Sequence, residues 1–529
     1  MSKRLWIIVG LVVVVALAGF ASLKFFGGSD EKDTLTVAII RDPDTLDTQR
    51  TTWVDAANDI MYDTLVRQDL NTGEIIPGLA TSWKLSDDGL TWTFQLRKGV
   101  TFHNGEPFNA HAVKATFDRM RDPKTASPVT YMLGDFIESI EVVDEYTVNL
   151  NYSKPFPSLL NSGASTGFLA IYPPKYLAEK GNDFGLHPIG TGPVKFVEHV
   201  RGSHILYERF EDYAWAPDYA QNKGPLNFKY LEMRIIPDES TAVMELERGN
   251  VDLLYSVPPQ DVERLAQKGF QITKAPANGI TYWGFNVKKW PFTEKAVRTA
   301  LAKAVDREEI VEYALEGLGE PNYGPLPSSI WGYSEEIEAR AKQLYGYDPE
   351  GAKAILAADG WVDTDGDGVV EKDGKPLEFK LWVRNFPVEQ RISQIIQSSA
   401  AKIGAKVNIE IVEDAAYRSG MANGAQDTIL WEYGWFDPEI LGNMFKTGVS
   451  TRTWYSSPEL DELIDAGATE VDREKRKQIY YDIQNNLVDF APWVPLYFKQ
   501  NVFAVNPEVK NFEMHQYRWE QLVLNDVML

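Results

Sequence analysis

Cysteine is absent from this chain of 529 residues, and histidine is scarce, with only six residues. The lack of cysteine excludes disulfides, thiolate metal sites, cysteine nucleophiles and lipid anchoring through a thiol. Phe20 stands where a lipidated cysteine would follow the lipobox-like Leu17-Ala18-Gly19. No two histidines have the spacing of a zinc-protease helix. Thiol chemistry and zinc-protease chemistry are therefore not available to this protein.

Positive charge is also in short supply. Lys and Arg number 53 against 76 Asp and Glu, which gives a net charge of −23. Such an acidic surface repels phosphate backbones and is poorly suited to binding anionic lipid, so we expect no nucleic-acid partner. Apolar residues, in contrast, make up 44% of the chain and include 15 Trp. The composition is typical of an acidic globular protein with two or three domains.

One long uncharged run occurs, from Leu5 to Leu23, directly after two basic residues. A helix of this length, at about 1.5 Å per residue, is just long enough to cross a bilayer. The preceding positive charges favour a cytoplasmic start and export of the remainder. Small residues at 16–18 also fit a signal-peptidase site. We therefore predict that residues 1–33 contain a retained anchor or a cleaved signal peptide, and that the rest is extracytoplasmic.

The remaining chain alternates between strand and helix patterns. Residues 34–40 have the composition of a buried strand, and 83–96 alternate around an Asp-Asp-Gly turn, which predicts a hairpin. Helical spacing and capping residues predict helices over 294–304 and 388–402, and a long one over 473–488. These patterns indicate a mixed α/β fold.

Several separated motifs resemble the family 5 extracellular solute-binding proteins, the receptors of peptide- and nickel-type ABC importers. The signature region is PGLATSW at 77–83, SDDGLTWTF at 86–94 and LRKGVTFHNG at 96–105. The similarity continues with AVKATFDR at 112–119, PIGTGPVKF at 188–196, IPDEST at 236–241, GNVDL at 249–253 and AVDR at 304–307. Because many motifs agree in the same order, from residue 34 to the carboxyl end, the resemblance is specific.

This resemblance implies a two-lobed, periplasmic-binding-protein-like α/β fold (type II, similar to cluster C) with an extra domain inserted in the first lobe. By similarity, lobe one comprises 34–66, 189–275 and 500–529, the additional domain 67–188, and lobe two 276–499. The chain would then pass between the lobes twice. A hinge motion would close the lobes on a solute, because the ligand makes some contacts only in the closed state.

The resemblance also implies a monomeric binding protein without catalytic activity, whose partners are ABC permease subunits and an ATPase. Peptides are the favoured ligands. The alternatives are oligosaccharides, which suit Trp-rich clefts, and chelated nickel. A secreted glycosidase would need two carboxylates across a sugar cleft, which sequence spacing alone does not exclude. The sequence contains no GxSxG elbow, P-loop or dinucleotide loop.

Six residues are candidates for ligand contact. Trp435 and Asp437 match the family segment in which Trp precedes Asp-Pro, and in peptide-binding relatives an acidic residue near this point holds the ligand amine. A cap on the following helix is the alternative role of Asp437. The other candidates are aromatic or basic residues at strand ends or in loops: Tyr282 or Trp283, of which one should face the cleft, Trp53 and Arg384.

An acidic loop at residues 363–371 has the DxDxDG spacing of calcium-binding loops. Its candidate ligands are Asp363, Asp365, Asp367, Val369 through its carbonyl, and Glu371. Position twelve of the loop is Gly374, whereas a calcium loop has a bidentate Glu there. The sequence therefore leaves two interpretations open, a structural calcium site and an acidic surface turn. No other cofactor is expected.

Overall fold

A computed structural model describes residues 32–529. The predicted anchor or signal segment at residues 5–23 lies outside the described residues. Among the described residues, no helix is both long enough and apolar enough to span a bilayer.

Lobe one is built on a mixed sheet in which the buried strand Thr34–Ile39 runs parallel to Tyr230–Ile235 and to Leu253–Leu254. Antiparallel strands extend the sheet on either side of this centre. The further strands are His204–Arg209, Val194–Val200 and Gln271–Pro276. The helices of this lobe are Ala56–Asp59, Pro174–Lys180, Glu239–Glu247 and Pro259–Gln267, with 3₁₀ turns at Thr48–Arg50 and Gly181–Leu186. The buried strand predicted over 34–40 is confirmed.

Lobe two has a second sheet, in which Glu378–Val383 runs parallel to Lys406–Ile411 and Thr428–Glu432. Thr281–Phe285 pairs antiparallel with Thr428–Glu432. The short strand Gly319–Pro321 pairs antiparallel with the strand Trp493–Val505. The helices are Lys295–Ala304, Arg307–Glu309 with the π-helical turn Ile310–Ala314, Glu335–Tyr345, Pro349–Ala358, Pro387–Ala401, Asp414–Ala422, Ile440–Phe445, Pro458–Thr469 and Arg473–Phe490. The helices predicted in this half are confirmed within two residues at each end.

The strand Trp493–Val505, here called the crossing strand, belongs to both sheets. Its first half pairs with Thr281–Phe285 in lobe two, and its second half pairs with Gln271–Pro276 in lobe one. The chain also passes between the lobes at residues 277–280, beside the crossing strand. Two adjacent connections of this kind allow the lobes to rotate about a hinge.

A third unit lies between residues 65 and 171. Its four-stranded antiparallel sheet contains Ala80–Leu85, Thr91–Leu96, Thr147–Tyr152 and Ile137–Asp144, in that order. The helix Ala110–Arg121 covers one face, and a small hairpin joins Val66–Gln68 to Ile75–Pro77. The hydrophobic core of this unit also includes residues of lobe one, among them Phe210, Tyr213 and Trp215. Tyr172 and Phe184 pack in the core of lobe one. The domain bounds expected from the family resemblance placed both residues in the additional domain, at 67–188.

Candidate functional site

A cavity of about 670 Å³ lies between the two lobes. The lobe-one wall comes from the end of the first strand, the helix that begins at Ala56, and the loop around Tyr255. The opposite wall comes from the π-helical turn near Ala314 and from the start of the helix Pro387–Ala401. The crossing strand closes the back with residues 499–502. Because both lobes and the hinge contribute, any solute held here would link the two lobes.

Aromatic side chains line the lobe-one side of this cavity. Trp53 has 48% of its surface exposed, and the guanidinium carbon of Arg41 lies 4.6 Å from its ring centroid. Tyr255 and Trp519 also line the wall, with their ring centroids 5.9 Å apart. Rings that offer an apolar face and a polar edge suit ligands with both kinds of surface. The structure thus places Trp53, a sequence candidate, on the cavity wall.

Both lobes contribute charged side chains to the cavity. On the lobe-one wall, burial raises the pKa of the Asp55 carboxyl group, and Arg41 lies 3.8 Å from it. Arg391 and Lys499 line the side formed by lobe two and the crossing strand, where Glu316 lies 3.9 Å from Arg391. Both cations keep nearly half of their side-chain surface exposed. A ligand in this cavity would therefore meet charged groups of both signs.

Asp437 does not lie on the wall of this cavity but in a buried group of residues, here called the clasp, that joins lobe two to the inserted unit. Its oxygens accept hydrogen bonds from Arg476 Nη1 and Nη2 at 2.9 and 2.5 Å, and from Asn161 Nδ2 at 2.9 Å. The backbone N–H of Glu439 donates to it as well, at 3.0 Å. This last contact belongs to a turn before the helix Ile440–Phe445, whose cap residue is Glu439, so Asp437 does not cap that helix.

Two more side chains, Glu439 and Trp435, complete the clasp. Glu439 accepts hydrogen bonds from Ser158, Ser162 and Trp435, and burial together with the neighbouring Asp437 raises the pKa of its carboxyl group. The ring of Trp435 stacks on Tyr131 of the inserted unit, with centroids 5.9 Å apart. In this conformation Trp435 and Asp437 therefore contact the inserted unit and join it to lobe two, and they do not face the cavity.

Tyr282 and Trp283 are both completely buried, so neither faces the cavity. Their strand lies inside the sheet of lobe two, between two neighbouring strands, and both faces of it are buried. The two side chains point to opposite faces of the sheet, but neither face is open to the cavity. Arg384 is structurally paired as well. Its Nε donates to Glu389 at 2.8 Å, and its guanidinium carbon lies 4.6 Å from the Trp431 ring centroid.

Sequence reasoning missed most of the cavity lining, including Asp55, Tyr255 and Trp519. Asp55 caps the helix Ala56–Asp59 through a capping box with Asn58, a signal that the sequence offers. Trp519 follows no recognisable motif, and only the packing of the carboxyl-terminal segment brings it to the cleft.

The acidic loop brings oxygens from Asp363, Asp365, Asp367 and Glu371 to within 4.8 Å of one another. Asp363 accepts hydrogen bonds from the N–H groups of Gly366 and Gly368. These bonds fold the loop backbone around the Asp363 carboxylate. Convergent hard oxygens are the ligands that calcium prefers. The arrangement fits the ion, with the carbonyl of Val369 as the expected fifth ligand.

We expect calcium to raise the melting temperature of the chelator-treated protein. A ligand that binds only the folded state adds about 2.7 kcal/mol to the free energy of unfolding when its free concentration is a hundred times its dissociation constant. Differential scanning calorimetry should show no such shift for Asp365→Asn. Asp373→Asn, in the exposed turn just beyond the loop, is the matched control and should respond like the wild type. A shift that survives in Asp365→Asn would mean that calcium binds elsewhere.

The fold and the inter-lobe cavity together define a two-lobed solute-binding protein. The profile described as "Bacterial extracellular solute-binding proteins, family 5 Middle" matches residues 74–452. Since the match covers more than half of the chain, this protein belongs to that family. The resemblance inferred from the sequence motifs is thereby confirmed.

Two relatives illustrate the similarity. Heme-binding protein A of Haemophilus influenzae is 30% identical over 86% of this chain and 85% of its own length. Oligopeptide-binding protein AppA of Bacillus subtilis is 29% identical over 98% of both chains. The solved structure of AppA in complex with a nonapeptide superposes with a TM-score of 0.69 at 26% identity, covering 95% of this chain and all of that one.

Proposed function

We propose that the protein captures peptides between its two lobes, outside the cytoplasm, and delivers them unchanged to the permease and ATPase of an ABC importer. Its relatives include an oligopeptide-binding protein of nearly the same length. The observation that supports a peptide best is the cavity itself, which has aromatic rings on its lobe-one wall and charged groups of both signs, among them Asp55 and Arg391. A peptide offers an amine, a carboxylate and apolar side chains to match. Residues 5–23 would hold the protein at the outer face of the membrane or be removed on export.

The rival ligands fit the cavity less well. Among the described residues that line it there is no histidine, which both chelated nickel and heme commonly use as a ligand. Oligosaccharides would use the exposed face of Trp53, but they carry no charged groups to match Asp55, Arg391 and Lys499. Binding of a solute without chemical change accounts for these features, and no catalytic pair has to be assumed.

The full-length protein should show a saturable rise in melting temperature with peptides of two to eight residues. Intrinsic Trp fluorescence should change over the same concentrations, because Trp53 lies on the cavity wall. Trp53→Ala should weaken peptide binding by about 5- to 30-fold, since an aromatic ring buried by a ligand contributes roughly 1–2 kcal/mol.

The control for this experiment is Trp290→Ala. Trp290 is also a partly exposed Trp, at 39%, but it stacks on Trp361 of lobe two, and that pair does not line the cavity. A response to β-linked oligosaccharides, chelated nickel or heme instead of peptides would replace the proposed ligand. No response to any of them would leave the family assignment intact and the peptide proposal without support.

A further inference from the structure

The inserted unit is joined to lobe one through the backbone. The N–H group of His103 donates to the carbonyl of Gly190 at 2.9 Å, and that of Gln516 donates to the carbonyl of Leu70 at 3.1 Å. The hydrophobic core of the unit also contains residues of lobe one. Because backbone hydrogen bonds and a shared core do not separate in a rigid-body rotation, the inserted unit has to move together with lobe one when the hinge opens.

The contact between the inserted unit and lobe two is of a different kind. In the described part of the chain, no backbone–backbone hydrogen bond and no strand pairing joins these two units. The clasp connects them through side chains. Asn161 donates to Asp437 at 2.9 Å. Ser158 and Ser162 donate to Glu439. A cavity of about 100 Å³, lined by side chains of both units, remains beside the clasp. Side-chain contacts of this kind can form and break as the lobes rotate.

Aromatic side chains of lobe two extend this contact. Trp435 packs against the hydrophobic core of lobe two and also against that of the inserted unit. Next to it, the ring centroid of Phe436 lies 3.8 Å from the guanidinium carbon of Arg518, a residue of lobe one. All of these contacts are between protein atoms, so they can form whether or not a solute is bound.

The charges of the clasp do not balance. Arg476 directs Nη1 and Nη2 to Asp437 and Nε to the carbonyl of Gly467. Glu439 receives neutral donors, which are two serine hydroxyls and the indole N–H of Trp435. Among residues 32–529, no basic nitrogen lies within 4.0 Å of its carboxylate. Enclosure and a second carboxylate nearby both disfavour the ionised form, so Glu439 binds a proton more readily in the closed clasp than in water.

We propose that the clasp is a proton-sensitive latch between the lobes, which closes lobe two onto the inserted unit with or without a solute, and that Glu439 takes up a proton as the latch closes. The inference goes beyond the proposed function, because the latch consists of protein contacts alone. The protonated carboxyl group of Glu439 can donate to one serine hydroxyl and still accept from the other donors, so protonation keeps the clasp intact. In the open form the carboxyl group would be hydrated and would release the proton.

The pH dependence has a defined sign. In the closed clasp, burial and the neighbouring Asp437 raise the pKa of Glu439 above its ordinary value of 4.5. The charged and titratable groups of the elements packed around Glu439 are Asp437, Arg476, Tyr480, Arg518 and Tyr131. Since the closed form binds the proton more tightly than the open form, closure is favoured as the pH falls through the raised pKa. Above that pKa, Glu439 is ionised in both forms and opposes closure.

The test measures closure of the full-length protein by single-molecule energy transfer. Because the chain contains no cysteine, Ser82→Cys in the inserted unit and Ser398→Cys in lobe two, both at exposed positions, place the two dyes at defined sites. After extensive dialysis, the protein should show two populations, one of them at the dye distance that this structure sets. The ratio of closed to open molecules should rise as the pH is lowered from 8 to 5. The limit for uptake of one proton is about tenfold per pH unit.

Two variants in the labelled protein separate the proton from the contacts. Glu439→Gln is neutral at every pH, and its amide can donate to a serine hydroxyl as the protonated acid does. Its closed fraction at pH 8 should match that of the unsubstituted protein at pH 5 and should not change between these values. Replacing both Ser158 and Ser162 by alanine should lower the ratio of closed to open molecules by at least about tenfold, the effect of losing one hydrogen bond to a charged group.

Glu338→Gln is the matched control. Glu338 is also partly buried, and burial raises its pKa, but it accepts from the N–H groups of Tyr323 and Gly324 within lobe two. This variant should keep the pH dependence of the unsubstituted protein.

Two results would overturn the inference. Molecules at the open distance alone, at every pH, would show that the clasp does not close the lobes. A closed fraction that does not change with pH, or that changes equally in Glu439→Gln, would remove the role of Glu439. Neither measurement uses a peptide, so failure of the latch and failure of the proposed function are distinguishable.

Discussion

Replacing Arg476 by methionine should lower the free energy of unfolding by about 3–5 kcal/mol, the range measured when one partner of a buried ion pair is removed. Both members are inaccessible, with 4% and 0% of their side-chain surfaces exposed. The substitution would leave the Asp437 carboxylate buried without a cation and remove the Nε hydrogen bond to the carbonyl of Gly467. Urea denaturation followed by Trp fluorescence measures the change.

An exposed ion pair provides the control for this substitution. Lys353→Gln removes an exposed ion pair with Glu350 and should change the free energy of unfolding by less than about 1 kcal/mol. Equal effects of the two substitutions would show that the clasp does not depend on its ion pair.

Replacing Gly279 by alanine should destabilise the protein by about 3 kcal/mol or more, at the upper end of overpacking effects. Gly279 lies in the connection between the lobes, and a Cβ atom there would come within 1.6 Å of the carbonyl oxygen of Tyr433. The two backbones cannot separate without losing the hydrogen bonds from Trp435 N to Asn278 O, at 2.8 Å, and from Tyr433 N to Ile280 O, at 3.1 Å. Chemical denaturation and peptide titration together report stability and closure.

Gly434 supplies the control, because it lies on the opposing strand segment but has room for a methyl group. The nearest atom to its Cβ would be the carbonyl oxygen of Asn278, at 3.9 Å, an ordinary contact distance. Gly434→Ala should therefore keep the stability and peptide affinity of the wild type. If the Gly279→Ala variant is as stable as Gly434→Ala, the backbone segments around Gly279 and Tyr433 separate at little cost in free energy.

Local signals in the sequence predicted secondary structure well. Ser457 caps the helix Pro458–Thr469, and Asp306 caps the helix that begins at Arg307. Both caps depend on residues at most three positions apart, which a sequence displays directly. The helix predicted over 294–304 begins one residue later, at Lys295, with Glu294 as its cap residue. The hairpin over 83–96 is confirmed.

The sequence by itself determined the secondary structure, the family and, through that family, the two-lobed fold, since each is encoded in local patterns and ordered motifs. Tertiary structure alone decided which side chains face the cavity. Asp437 and Arg476 are far apart in sequence but form one ion pair. Trp53 and Trp519 are likewise far apart in sequence but line one wall of the cavity. Two charged groups form an ion pair only when they lie within a few ångströms of each other, and only the packed fold sets that distance.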